Sequence, residues 1–162
     1  MDLFTPIVSE EEQHPNFRNI SKQANKFNYD VVNDWASGFQ DRDGKFVKEF
    51  QTTFDSSFWE LYLFAVLKHF GLDVDFSVPS PDFFVTNHGG INLEATVALH
   101  AQGAPPEHAK RRVDDIPKDL NELNRQTILR IRNSLDAKEK KYAKVYSSLP
   151  HVQNRPFVLG IS

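Results

Sequence analysis

The sequence predicts an α/β domain in which a helix, three strands, a long helix and a last strand follow one another between residues 54 and 162. Three observations carry this. An apolar stretch with serines before it and Gly71 after it has the length of a buried helix. Two β-type runs flank Asn87-His88-Gly89-Gly90, which is turn chemistry because Asn and Gly tolerate positive φ. A late segment repeats apolar residues at steps of three and four.

Taken in order, residues 1 to about 26 are polar, with Glu10-Glu11-Glu12 and His14-Pro15-Asn16, and are expected to form a lead-in of loops. Tyr29, Val31, Val32, Trp35 and Phe39 recur at helical spacing, with Asn28 or Asp30 as a start and Gly38 near the end. Asp41-Arg42-Asp43-Gly44-Lys45 resembles part of a calcium loop, but its glycine is misplaced and Gln51 or Thr52 stands where the closing glutamate belongs, so it reads as a turn. Residues 1–53 are thus an N-terminal extension packed on a core domain of 54–162.

The helix from Ser56 to Phe70 has Glu60 as its one charge between Asp55 and Lys68. Ser57 and Glu60 fit a capping box, and a functional role for Glu60 is compatible with that. Leu72 to Val78 alternates apolar and polar residues as a short strand does. In the hairpin that follows, Asp82 opens the first strand, and Ile91, Leu93 and Ala95 alternate with Asn92, Glu94 and Thr96 in the second. Glu94 and Thr96 therefore share a face. A long loop is expected from Leu99 to about Pro117, functional or poorly ordered. The long helix should run from Asp119 to Ser148 before Pro150, with Ile128, Ile131, Leu135, Tyr142, Val145 and Leu149 facing the core. Lys138 fills the step between Leu135 and Tyr142, either snorkelling at the edge or held as a positioned cation. Pro156 to Ser162 reads as a buried strand on which the chain stops, so a longer polypeptide is expected.

Composition narrows the function classes. The absence of cysteine excludes disulfides and thiolate metal sites, which suits the cytoplasm and leaves carboxylates as metal ligands. No apolar run is long enough to span a bilayer, so no membrane partner is expected. The net charge of −3 is uneven: residues 1–109 hold 7 Lys and Arg against 16 Asp and Glu, and residues 110–162 hold 12 against 6. The basic third either tracks phosphates or is a solvated mixed-charge helix. No His pair at i, i+4, no Gly-rich phosphate loop and no G-x-S-x-G elbow is present.

The αβββαβ order, with Pro81-Asp82 followed after eleven residues by Glu94-Ala95-Thr96, resembles the PD-(D/E)xK nuclease superfamily over about residues 54 to 162. The resemblance implies a restriction-endonuclease-like fold, a mixed central sheet flanked by helices. It also implies Mg2+ or Mn2+ held by Asp82 and Glu94 with help from Glu60, and hydrolysis of phosphodiester bonds, with DNA as the expected partner. The chain departs from the pattern at Thr96, where the family has lysine. Some members supply that lysine from the following helix, which makes Lys138 the first candidate and Lys141 the second. The alternatives are an inactive binding or structural module on the same fold, or an unrelated protein-interaction domain. In a purely structural hairpin Asp82 would cap a turn and Glu94 would pair with an arginine.

Overall fold

Fourteen phenylalanines in 162 residues need a large interior, and those of the N-terminal third, except the exposed Phe27, share one with the later elements. The computed structural model describes residues 1–22, 26–98, 109 and 119–162. The loop expected from Leu99 to Pro117 lies, but for Ala109, outside them. Leu3, Phe4, Phe17, Val32, Phe39, Phe46, Phe50 and Phe54 form a single buried cluster with Leu61, Phe64, Leu67, Phe83, Val85 and Leu93. Aromatic rings meet edge-to-face within it, as Phe17 and Phe50 do at 6.1 Å.

The architecture is mixed α/β, a three-stranded sheet with helices around it. The elements are α1 (Pro15–Ile20), α2 (Lys26–Ala36), α3 (Phe46–Thr52), α4 (Asp55–His69), β1 (Phe83–Val85), β2 (Ile91–Thr96), α5 (Leu120–Lys144) and β3 (Phe157–Ile161). A 3-10 turn at Tyr146–Ser148 follows α5. The hairpin forms as the turn chemistry predicts: Phe83 pairs with Leu93 and Val85 with Ile91, antiparallel, and His88, Gly89 and Gly90 take positive φ. β2 then pairs in parallel with β3, so α5 lies in the crossover between them. β2 is the central strand.

Several elements differ from expectation. The lead-in is built into the interior, because Gln51 on α3 holds it there. The Gln51 amide donates to Leu3 O at 3.1 Å and Thr5 O at 2.9 Å, and its carbonyl accepts from Ile7 N at 2.9 Å. The predicted turn at Asp41 starts a helix that the sequence reading lacked: the carboxylate accepts from Gly44 N and Phe46 N, and α3 follows. Asn28 and Asp30 lie inside α2 rather than before it. The strand expected at 72–78 shrinks to one bridge, Val74 to Val85. No capping box forms on α4, since its cap is Phe54 and Ser57 is buried in the first turn. α5 ends at Lys144, well short of Pro150, and is capped by Asp119, whose carboxylate accepts from Asn121 N and Glu122 N. Its apolar stripe is not core-facing: none of its residues is buried, and Ile128 is 64 % exposed.

The two faces of the sheet do different jobs. Phe83, Val85 and Leu93 face the core with α4, where Trp59 Nε1 donates to Gly160 O at 3.0 Å. A side chain at Gly160 would put its Cβ 2.7 Å from Leu63, so glycine lets the helix approach the strand. Asn92, Glu94 and Thr96 point the other way, where Tyr142 and Tyr146 pack on Phe157. Among the described residues no helix is long and apolar enough to cross a membrane.

Replacing Gln51 by Leu would strip partners from three backbone groups at once. The expected loss is about 2–4 kcal/mol of stability, read as a lower urea midpoint. An unchanged midpoint would show that the N-terminal segment is held by its phenylalanines alone.

Candidate functional site

Alternation along β2 sends Glu94 away from the phenylalanine core and into the interface with α5, where it is 1 % exposed. Continuing the β1–β2 register by one step sets Asp82 opposite Glu94 on the same face. Pro81 precedes it, with a cis Ser80–Pro81 peptide. Asp82 Oδ2 accepts from Ala95 N at 2.7 Å, so the acid is tied across the hairpin rather than capping a turn.

Among the described residues the partners of Glu94 come from α5 and the turn after it, and none is an arginine. Its Oε1 accepts from Lys138 Nζ at 2.7 Å, Lys141 Nζ at 3.0 Å and the Tyr146 hydroxyl at 3.0 Å. Lys138 also donates to Ala95 O at 3.2 Å. Lys138 and Lys141 are three residues apart and so neighbours on α5, and Tyr146 is brought to the same oxygen by the 3-10 turn that follows the helix. Glu94 Oε2 is buried and has no hydrogen-bond partner among the described residues.

Charge state follows from these contacts. Burial pushes the Glu94 carboxyl up, but hydrogen bonds and charge from Lys138 and Lys141 outweigh it and hold the group below the usual carboxylate range. Tyr146 is raised to about 12 by burial and by the Glu94 charge, against the opposing pull of Lys141, so its hydroxyl keeps its proton and donates. Asp82 is raised by burial and by Glu94, with Ala95 N, Lys138 and Arg42 acting against that.

Glu60, half-buried on α4, is raised to about 8 by burial first and then by Asp82, with Arg42 opposing and Glu49 and Glu94 adding. Glu60, Asp82 and Glu94 thus lie within one another's fields. They do not meet at a point: among the described residues no three His, Asp or Glu side chains are gathered to hold an ion. Glu60 and Asp82 open onto a cleft of about 320 Å3 that Arg42 and Pro79 also line. Arg42 is anchored there, donating to Val78 O at 2.8 Å and Pro81 O at 3.2 Å.

Of the residues singled out in the sequence, Lys138 and Lys141 both reach Glu94. Asp82 stands across the hairpin, and Glu60 approaches from α4. Thr96 lies half-buried on the face of Glu94, paired with Ile161 in the sheet. The cation beside Glu94 therefore comes from α5 and not from position 96. Two residues escaped sequence reasoning. Tyr146 continues the Lys138–Tyr142 side of the helix, a weak signal, whereas nothing local marks Arg42 within its acidic turn.

An all-oxygen donor set suits Mg2+ or Mn2+. The orphaned Glu94 Oε2 is a buried oxygen that a cation would satisfy. The residues present fit such an ion chemically, with Glu60 and Asp82 having to turn toward it. Comparison with protein-family models, curated proteins and solved structures gives no match to this chain.

Two outcomes are expected from the electrostatics. Because the folded Glu60 pKa of about 8 lies above its ordinary 4.5, the native state holds a proton that the unfolded chain loses between those values. Stability then falls as pH rises through that window. Melting temperatures measured in chelator from pH 5 to 8 should drop, and Glu60→Gln should flatten the slope. Equal slopes would remove Glu60 as the cause. Lys138→Met takes away the closer partner of a buried carboxylate while Lys141 remains, so a cost of about 1–3 kcal/mol is expected. A second change, Glu94→Gln, should recover most of it.

Proposed function

We propose that the chain is a metal-dependent nuclease-like domain of PD-(D/E)xK type, hydrolysing phosphodiester bonds in DNA. The observation that carries the reading is the Lys138 ammonium 2.7 Å from Glu94 Oε1, with Asp82 opposite Glu94 across the hairpin. An acid pair with a cation beside it is what phosphodiester hydrolysis needs. The order of helix, bridged segment, hairpin, helix and parallel strand supports a restriction-endonuclease-like core. A cysteine-free chain of this kind suits the reducing cytoplasm.

Asp82, Glu94 and Glu60 would hold Mg2+ or Mn2+, which when bound neutralises the scissile phosphate and makes a water nucleophilic near neutral pH. Lys138 has three donors and, among the described residues, spends two, on Glu94 Oε1 and Ala95 O, which leaves a third for a water or a phosphate oxygen. Lys141 and Tyr146 donate to the same oxygen and help keep Glu94 in one rotamer. Glu60, holding its proton near neutral pH without a cation, would release it when the ion arrives.

A second reading, a non-catalytic module on the same fold, is favoured by one observation: two ammonium groups already neutralise Glu94 without an ion. The experiment that separates the two compares cleavage of plasmid and single-stranded DNA in Mg2+ or Mn2+ by the wild type, Asp82→Asn and Glu94→Gln. The nuclease reading expects metal-dependent cleavage that falls at least about a hundredfold in either variant. It also expects the ion to raise the melting temperature of the wild type and not of Asp82→Asn. Cleavage surviving both substitutions would sink the site assignment, and wild-type protein with neither cleavage nor a metal-dependent shift is the module.

A further inference from the structure

Helix α4 is apolar on more sides than the core requires. Leu61, Phe64 and Leu67 are buried in the main cluster and Phe58 packs against its edge, yet Trp59 and Tyr62 lie outside it, Tyr62 with 39 % of its surface exposed. Asp55, Phe58, Trp59 and Tyr62 follow the i, i+3, i+4, i+7 spacing of one helix face. That face looks onto a groove of about 590 Å3, the volume of a small-ligand site. Thr127, Arg130 and Ile131 of α5 form the opposite wall, again at i, i+3 and i+4. Val97 and Ser162 close the bottom, just past the carboxyl ends of the parallel strands β2 and β3.

We propose that this groove takes an unpaired base of a single-stranded nucleic acid, stacked on the Trp59–Tyr62 pair with its backbone along α5. The inference rests on the nuclease-like reading and names the substrate form of that site. Trp59 and Tyr62 are stacked at 5.4 Å and 16°, and Trp35 braces Tyr62 edge-on at 5.5 Å. The platform is rigid: the Trp59 indole is bonded to Gly160 O at 3.0 Å. Stacking on a fixed aromatic surface is indifferent to base identity and open only to a base that is not paired.

Charge selects the same class of ligand. α5 carries seven Lys and Arg against three acids along its length. Arg130 brings a guanidinium to the groove, with Thr127 Oγ1 at 3.4 Å. The acid at the opposite wall, Asp55, is engaged by Asn16 Nδ2 at 3.0 Å. Ile131 and Lys138 are seven residues apart on α5, roughly 10 Å along the axis. That is about three stacked nucleotide steps at 3.4 Å, so a strand laid along α5 from the groove spans the distance to Lys138, the partner of the buried Glu94 carboxylate.

The test is the anisotropy of a labelled twelve-residue oligothymidylate, titrated with the full chain in EDTA so that binding is read without cleavage. Single strand should bind more tightly than a duplex of the same length. Tyr62→Leu should weaken single-strand binding about tenfold, Tyr62→Phe should restore it, and both should match the wild type in circular dichroism and melting. Three results would overturn the proposal: undiminished binding by Tyr62→Leu, a duplex bound as tightly as the single strand, or Tyr62-dependent self-association in sedimentation without oligonucleotide binding. Metal-dependent cleavage with Tyr62-independent binding leaves the nuclease reading intact and removes only the groove. Tyr62-dependent binding by a protein that never cleaves does the reverse.

Discussion

A carboxylate on the central strand of a sheet whose face is covered by a helix cannot reach water, so the structure must bring its partners to it. Glu94 is that group, and much of the domain is arranged by its need. The parallel return from β2 to β3 carries α5 across the face on which Glu94 stands, and two lysines and a tyrosine converge on one of its oxygens. The rings of Tyr142 and Tyr146 on Phe157 seat the same end of the helix. Held by that end, α5 leaves the apolar residues of its first turns exposed. Among the described residues the compensation is also incomplete, because the second carboxylate oxygen is buried and finds no partner. A buried carboxylate oxygen without a partner costs stability.

Around Glu94 the acids are driven apart in their affinity for protons. Glu94 is held ionised by its cations, whereas burial and the neighbouring charges push Glu60 up to about 8. Environments that separate like groups in this way are how one fold assigns different protonation roles near neutral pH. Arg42 moderates the crowding from the far side, where it also pins the segment leading into Asp82.

The N-terminal third provides the rigidity on which this depends. Its buried phenylalanines fill the space beneath α4, so that helix is pressed on one side by aromatic core and on the other by the sheet. With α4 fixed, Glu60 points toward Asp82 on one flank and the Trp59–Tyr62 pair lines the groove on another. Both the Glu60–Asp82 flank and the groove thus inherit their position from the packing of the N-terminal third.

Local chemistry determined a good share of this protein before any folding was considered. Period-two alternation with Asn87-His88-Gly89-Gly90 specifies the hairpin, the apolar run specifies α4, and Asp119 specifies the start of α5, since each signal acts within a few residues. The interruption of the apolar stripe at Lys138 was readable for the same reason. What lay beyond reach was every partnership across the chain. Gln51 binding Leu3 and Thr5, Arg42 binding Pro81, Tyr146 binding Glu94 and the exposure of the Ile128 stripe involve groups that sequence spacing does not relate. A one-residue rule can place Glu94 on a face, but which groups cover that face is decided only when the crossover brings α5 there. Burial and pairing energies come into being with the packed structure, and for that reason the tertiary structure alone settled which residues meet the carboxylate.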